Sequence, residues 1–319
     1  MTDLQRGPEN NRVWHASLST MWALTQEEPF AEFFPVARRF GFSHQELNHA
    51  VSPKMMATVD PKDLRVESVH EPCPCEIPRR LRMERDIHMT SLDESLRSQA
   101  VKFVRGSIHY AHHLGATAIV VHPGEVPVGK DYELRMRALY KERENHSSEY
   151  VELKERYIEE RMKAVPLYLE ALRCSLLELV GDAETMGVRL GLENRDHYYE
   201  VPLPHEMDEL LTLRPGTIEY WHHVGHAEKL RELGFYSQRE WLERFAHGMI
   251  GIHLHDNDGL ADHIAPGLGT VDWELVSRYV PKHAIRTFEV RGFVTQEQMR
   301  DAQWMLYEAG CLEAYDGDE

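Results

Sequence analysis

Seven metal-binding side chains stand at one recurring position in this sequence. His70, His122 and Glu193 each close a short apolar run, His223 and His226 follow another, His253 lies within a further one, and Glu289 ends the last. Imidazole nitrogen and carboxylate oxygen are ligands that zinc, manganese, iron and cobalt accept. Any one of these residues taken alone reads first as a satisfied core histidine or a solvated carboxylate. Seven at one level do not, because a buried charge without a partner is strongly unfavourable. The chemistry they imply is that of one or more divalent ions polarising substrate oxygens or activating water.

What must bring these residues together is the set of elements between them. Short apolar runs alternate with amphipathic stretches, the pattern of a parallel sheet with helices on its outside. Eight strands are expected: Trp14 to Met21, Gly41 to Leu47, Leu64 to His70, Ala116 to His122, Val188 to Glu193, Thr217 to Trp221, Ile250 to Leu254 and Ile285 to Val290. Phe30 to Phe40 is the helix between the first two. Leu96, Ala100, Val104, Ile108 and Ala111 form the inward stripe of another helix, which Gly115 ends. Leu169, Leu172, Leu176 and Val180 repeat that stripe, and Gly187 separates it from the fifth strand. The expected fold is therefore α/β, a (β/α)8 TIM barrel, for which 319 residues suffice. Barrel strands present their C-terminal ends at one mouth, where barrel enzymes keep their active sites.

A single domain over residues 1–319 is expected, with two departures from the repeat. Asp131 to Lys163, between strands four and five, is dense in Glu, Lys and Arg and reads as a charged helical insertion rising over the mouth. Surface decoration is its first reading and a substrate lid its second. Ala314 to Glu319 is acidic and is expected to fray.

Composition narrows the class. With 42% apolar residues the chain can bury a large core, and its four cysteines are too few for a disulfide framework, so a reducing cytoplasm fits. No leader pattern and no membrane-length apolar run is seen, which leaves no membrane partner to expect. A net charge of −17 repels polyanions at long range and disfavours nucleic acid as a partner, although bound metal ions would reverse the sign locally.

Several segments, in their order, resemble a known family. Ser68 to His70, Val120 to Gly124, Gly191 to Arg195, Trp221 to Ala227, Ile252 to Asp256, His263 to Gly269 with Asp272-Trp273, and Phe288 to Arg291 are similar to the xylose isomerase-like TIM barrels. This superfamily joins sugar isomerases and epimerases with endonuclease IV-type AP endonucleases. The resemblance runs from Val13 to Ala309, apart from the charged insertion. It implies a mononuclear site of Glu193, His223, His253 and Glu289, with His223 standing where the family carries an aspartate. That neutral ligand disfavours Mg²⁺ and favours zinc, iron or manganese. The resemblance also implies further ligands, His70 and His122 on one side and His226 and His263 on the other. The family's aspartate two residues before the last histidine is here Ala261, which weakens the case for a third ion. One to three ions per chain are implied, of zinc, manganese, iron or cobalt.

The activity implied is that of a metal-dependent isomerase or epimerase of a sugar or other small polyhydroxylated carbonyl compound, with Glu193 and Glu289 flanking the substrate as acid and base. The alternative is a multinuclear phosphoesterase, an abasic-site endonuclease at its extreme. The extra histidines favour it. The acidic charge and the lack of a basic, aromatic-studded stretch oppose it. A noncatalytic metal-binding barrel is a third reading. Arg195 and Arg291, each two residues past a candidate ligand, are candidate substrate clamps or rim ion pairs. His255 shares a strand face with His253, to contact substrate or support a ligand, while Asp256 points elsewhere. Cys73 and Cys75 read as loop, and Asn257 to Gly259 with Pro266 to Gly269 as turns after the seventh strand.

Overall fold

The structure is a computed structural model that describes residues 12–315. Eight strands form a closed parallel barrel: β1 Trp14–Ser19, β2 Phe42–Leu47, β3 Val66–His70, β4 Ala118–Val121, β5 Arg189–Glu193, β6 Ile218–His223, β7 Met249–Leu254 and β8 Ile285–Phe288. Each pairs with its neighbours in sequence, and β8 closes on β1 with Ser17 opposite Thr287 and Leu18 opposite Phe288. All eight expected strands are present. The sixth runs on to His223, so that residue ends a strand and does not follow one.

The longer outer helices are α1 Phe33–Arg39, α2 Glu94–Leu114, α3 Lys130–Lys141, α4 Ser148–Met186, α5 Pro204–Leu211, α6 Val224–Glu232, α7 Gln238–Phe245 and α8 Gln296–Glu308. In α2, Asp93 accepts from the amides of Ser95 and Leu96 at the start, and Gly115 ends the helix at φ 76°. Gly187 ends α4 in the same left-handed turn, φ 65°. Only glycine adopts this conformation without strain, so both chain reversals into strands are set locally. The stripes of α2 and α4 bury Ala100, Val104, Ile108, Leu172, Leu176 and Leu179 against the sheet and each other.

Inside the barrel, Trp221 packs with Ala118, Val120, Ile250 and Ile285. Gly191 and Gly251 make this possible, because a Cβ on either would press on the Trp221 ring. The indole floors the mouth, with its ring centroid 5.2 Å from that of His253.

The charged insertion is not a separate excursion. Ser147 caps α4, and no glycine stop follows until Gly187, so Ser148 to Lys163 is the first part of one 39-residue helix. That extension carries α3, which is bolted to the loop after β5: Arg137 Nη2 donates to the Asp196 carbonyl at 2.8 Å, and Glu133 accepts from the Tyr198 amide at 2.9 Å. Tyr157 on α4 donates to the same Glu133 at 2.9 Å.

The expected fraying of the C-terminal tail does not hold for its first two residues. Ala314 bridges Trp14, and the Tyr315 amide donates to the Val13 carbonyl at 2.9 Å, because the start of the first strand precedes its pairing with β8 at Ser17 and offers backbone partners there. Residues 316–319 lie outside the described residues. Among the described residues, no helix is long and apolar enough to cross a membrane, and all four cysteines are unpaired.

Candidate metal centre

Register places the candidate ligands at one depth. His70 ends β3, His122 follows β4, Glu193 ends β5, His223 ends β6, His253 sits near the end of β7, and Glu289 follows β8. His223 lies directly opposite His253 across the β6–β7 pair. Asn194 ties β5 to β6, its Oδ1 accepting from the His223 amide at 2.7 Å and its Nδ2 donating to the His223 carbonyl at 3.0 Å.

Glu193, His223, His253 and Glu289 form a fully buried four-donor group. His253 Nδ1 lies 2.9 Å from Glu193 Oε1 and 3.2 Å from Glu289 Oε2, and His223 Nε2 lies 3.0 Å from Glu289 Oε2 and 3.9 Å from Glu193 Oε1. A tetrahedral ion with bonds of about 2.0–2.2 Å needs donors about 3.3–3.6 Å apart. The four separations bracket that spacing, and two carboxylates with two neutral imidazoles balance a divalent charge, so the residues fit such an ion.

Three more groups adjoin it. His70, His122 and Glu193 form one, with His122 Nε2 at 2.6 Å from Glu193 Oε2 and the His70 and His122 rings 4.2 Å apart. Asp196, His226 and Asp262 form another, and His223, His255 and His263 form the last, with the His263 ring centroid 6.4 Å from that of His226, its expected neighbour. The carboxylate missing at Ala261 is supplied by its neighbour Asp262. His263 takes a left-handed φ of 60°, and this turn lets the consecutive residues 262 and 263 both point inward, which strand alternation forbids.

Burial and neighbouring charges together set the charge states of these side chains. Burial pushes His70, His223 and His226 well below the ordinary imidazole value, and His255 down to about 3. Burial also acts against the charged form of His253, yet Glu289, Glu46 and Glu193 outweigh it and hold this imidazole well above its ordinary value. For His263, Asp262 and Glu289 overcome burial and raise it to about 9. The two central carboxyls diverge. Burial raises Glu193 against Arg195 and His253, whereas the imidazoles of His253, His223 and His263 overcome burial at Glu289 and hold it well below the carboxylate range.

The mouth opens into a polar cavity of about 270 Å³, reached by His70, His122, Glu193, His223, Glu289 and Arg291 among others. Arg291 is half-exposed at the rim, its Nη2 3.1 Å from Asp262. Arg195 is buried, its guanidinium against Glu193, His122 Nε2 and Glu200. His255 Nε2 lies 3.3 Å from His223 Nδ1, and its Nδ1 accepts from the His263 amide at 2.9 Å, so it packs behind the candidate ligand His223. Asp256 does point away, accepting from Trp273 Nε1 and the amides of Gly267 and Val271. Cys73 and Cys75 belong to no ligating group among the described residues.

Sequence reasoning missed four residues. Glu46 on β2, buried, lies 3.1 Å from His253 Nε2 and accepts from the Ser68 hydroxyl at 2.8 Å. Asp196, Asp262 and Lys229 surround His226. An acidic residue ending the second apolar run marked Glu46, and the spacing His223-x-x-His226-x-x-Lys229 marked a lysine on the same helix face.

The chain matches the xylose isomerase-like TIM barrel family over residues 62–291. It belongs to that family. This xylose isomerase-like barrel is 25% identical over 192 residues to an uncharacterized protein of Methanocaldococcus jannaschii, a match covering 59% of this chain and about half, 54%, of that relative's length. Two solved structures share its fold. A D-tagatose 3-epimerase-like protein superposes with a TM-score of 0.61 at 20% identity, covering 92% of this chain and 96% of the other. The IolI protein with a bound zinc atom superposes with a TM-score of 0.62 at 12% identity, covering 92% and 97%.

Proposed function

We propose that this xylose isomerase-like barrel is a divalent-metal-dependent isomerase or epimerase acting on a sugar or another small polyhydroxylated carbonyl compound. The observation that carries the reading is the buried group of Glu193, His223, His253 and Glu289 beneath a small polar cavity. These four residues would hold one ion, and their histidine-rich set suits zinc, manganese, iron or cobalt. Such an ion, when bound, polarises adjacent carbonyl and hydroxyl oxygens as a Lewis acid. Glu193 and Glu289 flank the substrate. One carboxylate oxygen takes the proton from the carbon beside the carbonyl, and the other carboxyl returns a proton to the opposite face or to the neighbouring carbon. Trp221 keeps water from beneath the site, and Arg291 is placed at the rim to meet substrate hydroxyls. The fold shared with a D-tagatose 3-epimerase-like protein and the zinc in a second neighbour support this reading.

A multinuclear phosphoesterase is the second reading, favoured by the group of His70, His122 and Glu193. The net charge of −17 opposes a polyanionic substrate. Zinc- or manganese-loaded protein incubated with ketoses in D₂O and followed by NMR decides between them. The expected result is deuterium at the carbon beside the carbonyl, with the exchange and the bound ion both lost in Glu193→Ala. No exchange, together with metal-dependent cleavage of phosphate esters or abasic duplex, would overturn the proposal.

A further inference from the structure

Four ligating groups share the mouth: one, His223 with His255 and His263, draws on the same His223 as the central group, and two others already contain a cation of the protein's own. In the group of Asp196, His226 and Asp262, Lys229 Nζ lies 2.9 Å from Asp196 Oδ2 and 2.6 Å from Asp262 Oδ2. Its side chain is about nine-tenths buried, one helical turn past His226 on α6. The second oxygen of Asp262 is also engaged, by Arg291 Nη2 and His263 Nδ1, each at 3.1 Å. An ion bonded to these same two Oδ2 atoms at about 2.0–2.2 Å would have to stand where the ammonium stands.

Arg195 does the same in the group of His70, His122 and Glu193. Its Nη1 rests against both Glu193 Oε2 and His122 Nε2, the two donor atoms that face each other across that group. Glu200 accepts from the far side of the guanidinium, Nε at 3.4 Å and Nη2 at 3.3 Å, and so holds it in place. A planar guanidinium cannot share that gap with a divalent ion, on grounds of both volume and like charge. The group of Glu193, His223, His253 and Glu289 differs. Among the described residues no lysine or arginine nitrogen is recorded between its donors, and Arg195 bonds the Oε2 of Glu193, not the Oε1 that faces His253.

We infer that Arg195 and Lys229 are built-in cations standing in the places of a second and a third metal ion, and that they hold the mouth to one divalent ion. The inference rests on the mononuclear site proposed above. It also deepens that reading, because a single ion suits isomerisation and removes the multi-ion arrangement that phosphoester cleavage uses.

The test is metal counting on the whole chain by equilibrium dialysis against zinc and mass spectrometry. Wild type is expected to hold about one ion per chain, Arg195→Met and Lys229→Met about two each, and the double variant about three. Arg195→Lys and Lys229→Arg, which keep the charge, are expected to stay near one; a merely structural role would not separate these variants from the methionine ones. Two or more tightly held ions in wild type would overturn the inference, and so would methionine variants that fold, by circular dichroism, yet gain none. If the methionine variants do not fold, the wild-type count decides alone. A wild type with no ion, or one whose ion survives Glu193→Ala with His223→Ala, would instead sink the proposed site itself.

Discussion

Glu46 gives the sharpest test of how the centre is built. His253 turns Nδ1 toward Glu193 and Glu289, and Nε2 toward Glu46 at 3.1 and 3.2 Å. A carboxylate behind a ligating imidazole fixes its tautomer and raises its basicity, and losing such a partner typically costs about 10–100-fold in metal affinity. Glu46→Gln keeps the shape and an acceptor oxygen but removes the charge. A charged hydrogen bond of about 1.5–3 kcal/mol becomes a neutral one of about 0.5–1.5 kcal/mol, a difference near 1–1.5 kcal/mol, or about tenfold in affinity. Glu46→Ala leaves the buried Nε2–H without a partner, about 1–3 kcal/mol, and should weaken binding by as much as about a hundredfold. Ser68→Ala removes only the 2.8 Å hydroxyl bond to Glu46 and should cost less than either. Competition for zinc against a chromogenic chelator measures all three, with thermal melts to confirm folding. Unchanged affinity in both Glu46 variants would refute the orientation of His253 and with it the ligand set.

Two further predictions concern the frame around the site. His197 is raised above its ordinary value of 6.5, because Asp196 and Glu133 together outweigh its burial. Its contribution to docking α3 is therefore full below about pH 6.5 and lost as pH rises through the raised value, so the protection of the Lys130–Lys141 amides, with intrinsic base-catalysed exchange divided out, should fall as pH rises above about 6.5, and His197→Asn should abolish that fall. Gly251→Ala drives a Cβ into the Trp221 ring and should cost about 1–3 kcal/mol, whereas Gly106→Ala, on the exposed side of α2 with nothing near its Cβ, should gain about 0.5–1 kcal/mol. Urea denaturation measures both, and equal effects would contradict the packing of the barrel interior.

The barrel was legible because its signals are local. Each strand is a run of apolar residues a few positions long, and at Gly115 and Gly187 the stop before it needs only one residue with φ above zero. The charged insertion was misjudged for the same reason. Density of Glu, Lys and Arg marks solvent exposure, but whether two exposed stretches belong to one helix turns on Pro166, between Lys163 and Leu169, a residue that ordinarily ends or kinks a helix and that this helix runs through. Its attachment through Glu133, Arg137 and Tyr157 uses polar residues that meet a loop some sixty positions away, and no periodicity encodes that.

For the centre, strand ends supplied a register that sequence can follow, which is why His70, His122, Glu193, His223, His253 and Glu289 came together as expected. What escaped were the residues whose direction depends on a turn or on a partner. Glu46 looks like any strand-end acid until His253 is placed against it. Asp262 looks outward-facing by alternation with His263, and only the left-handed turn at His263 brings both side chains into the mouth. That turn is strained for a residue with a Cβ, and its partners offset the cost: the His263 amide donates to His255, and the His263 carbonyl accepts from the Arg291 amide at 3.0 Å. With Asp262 turned inward, Lys229 acquires its second carboxylate. One backbone torsion thus decides whether the third ligating group presents bare acids to solvent or closes on an ammonium, and a reading that stops at residue types cannot distinguish the two.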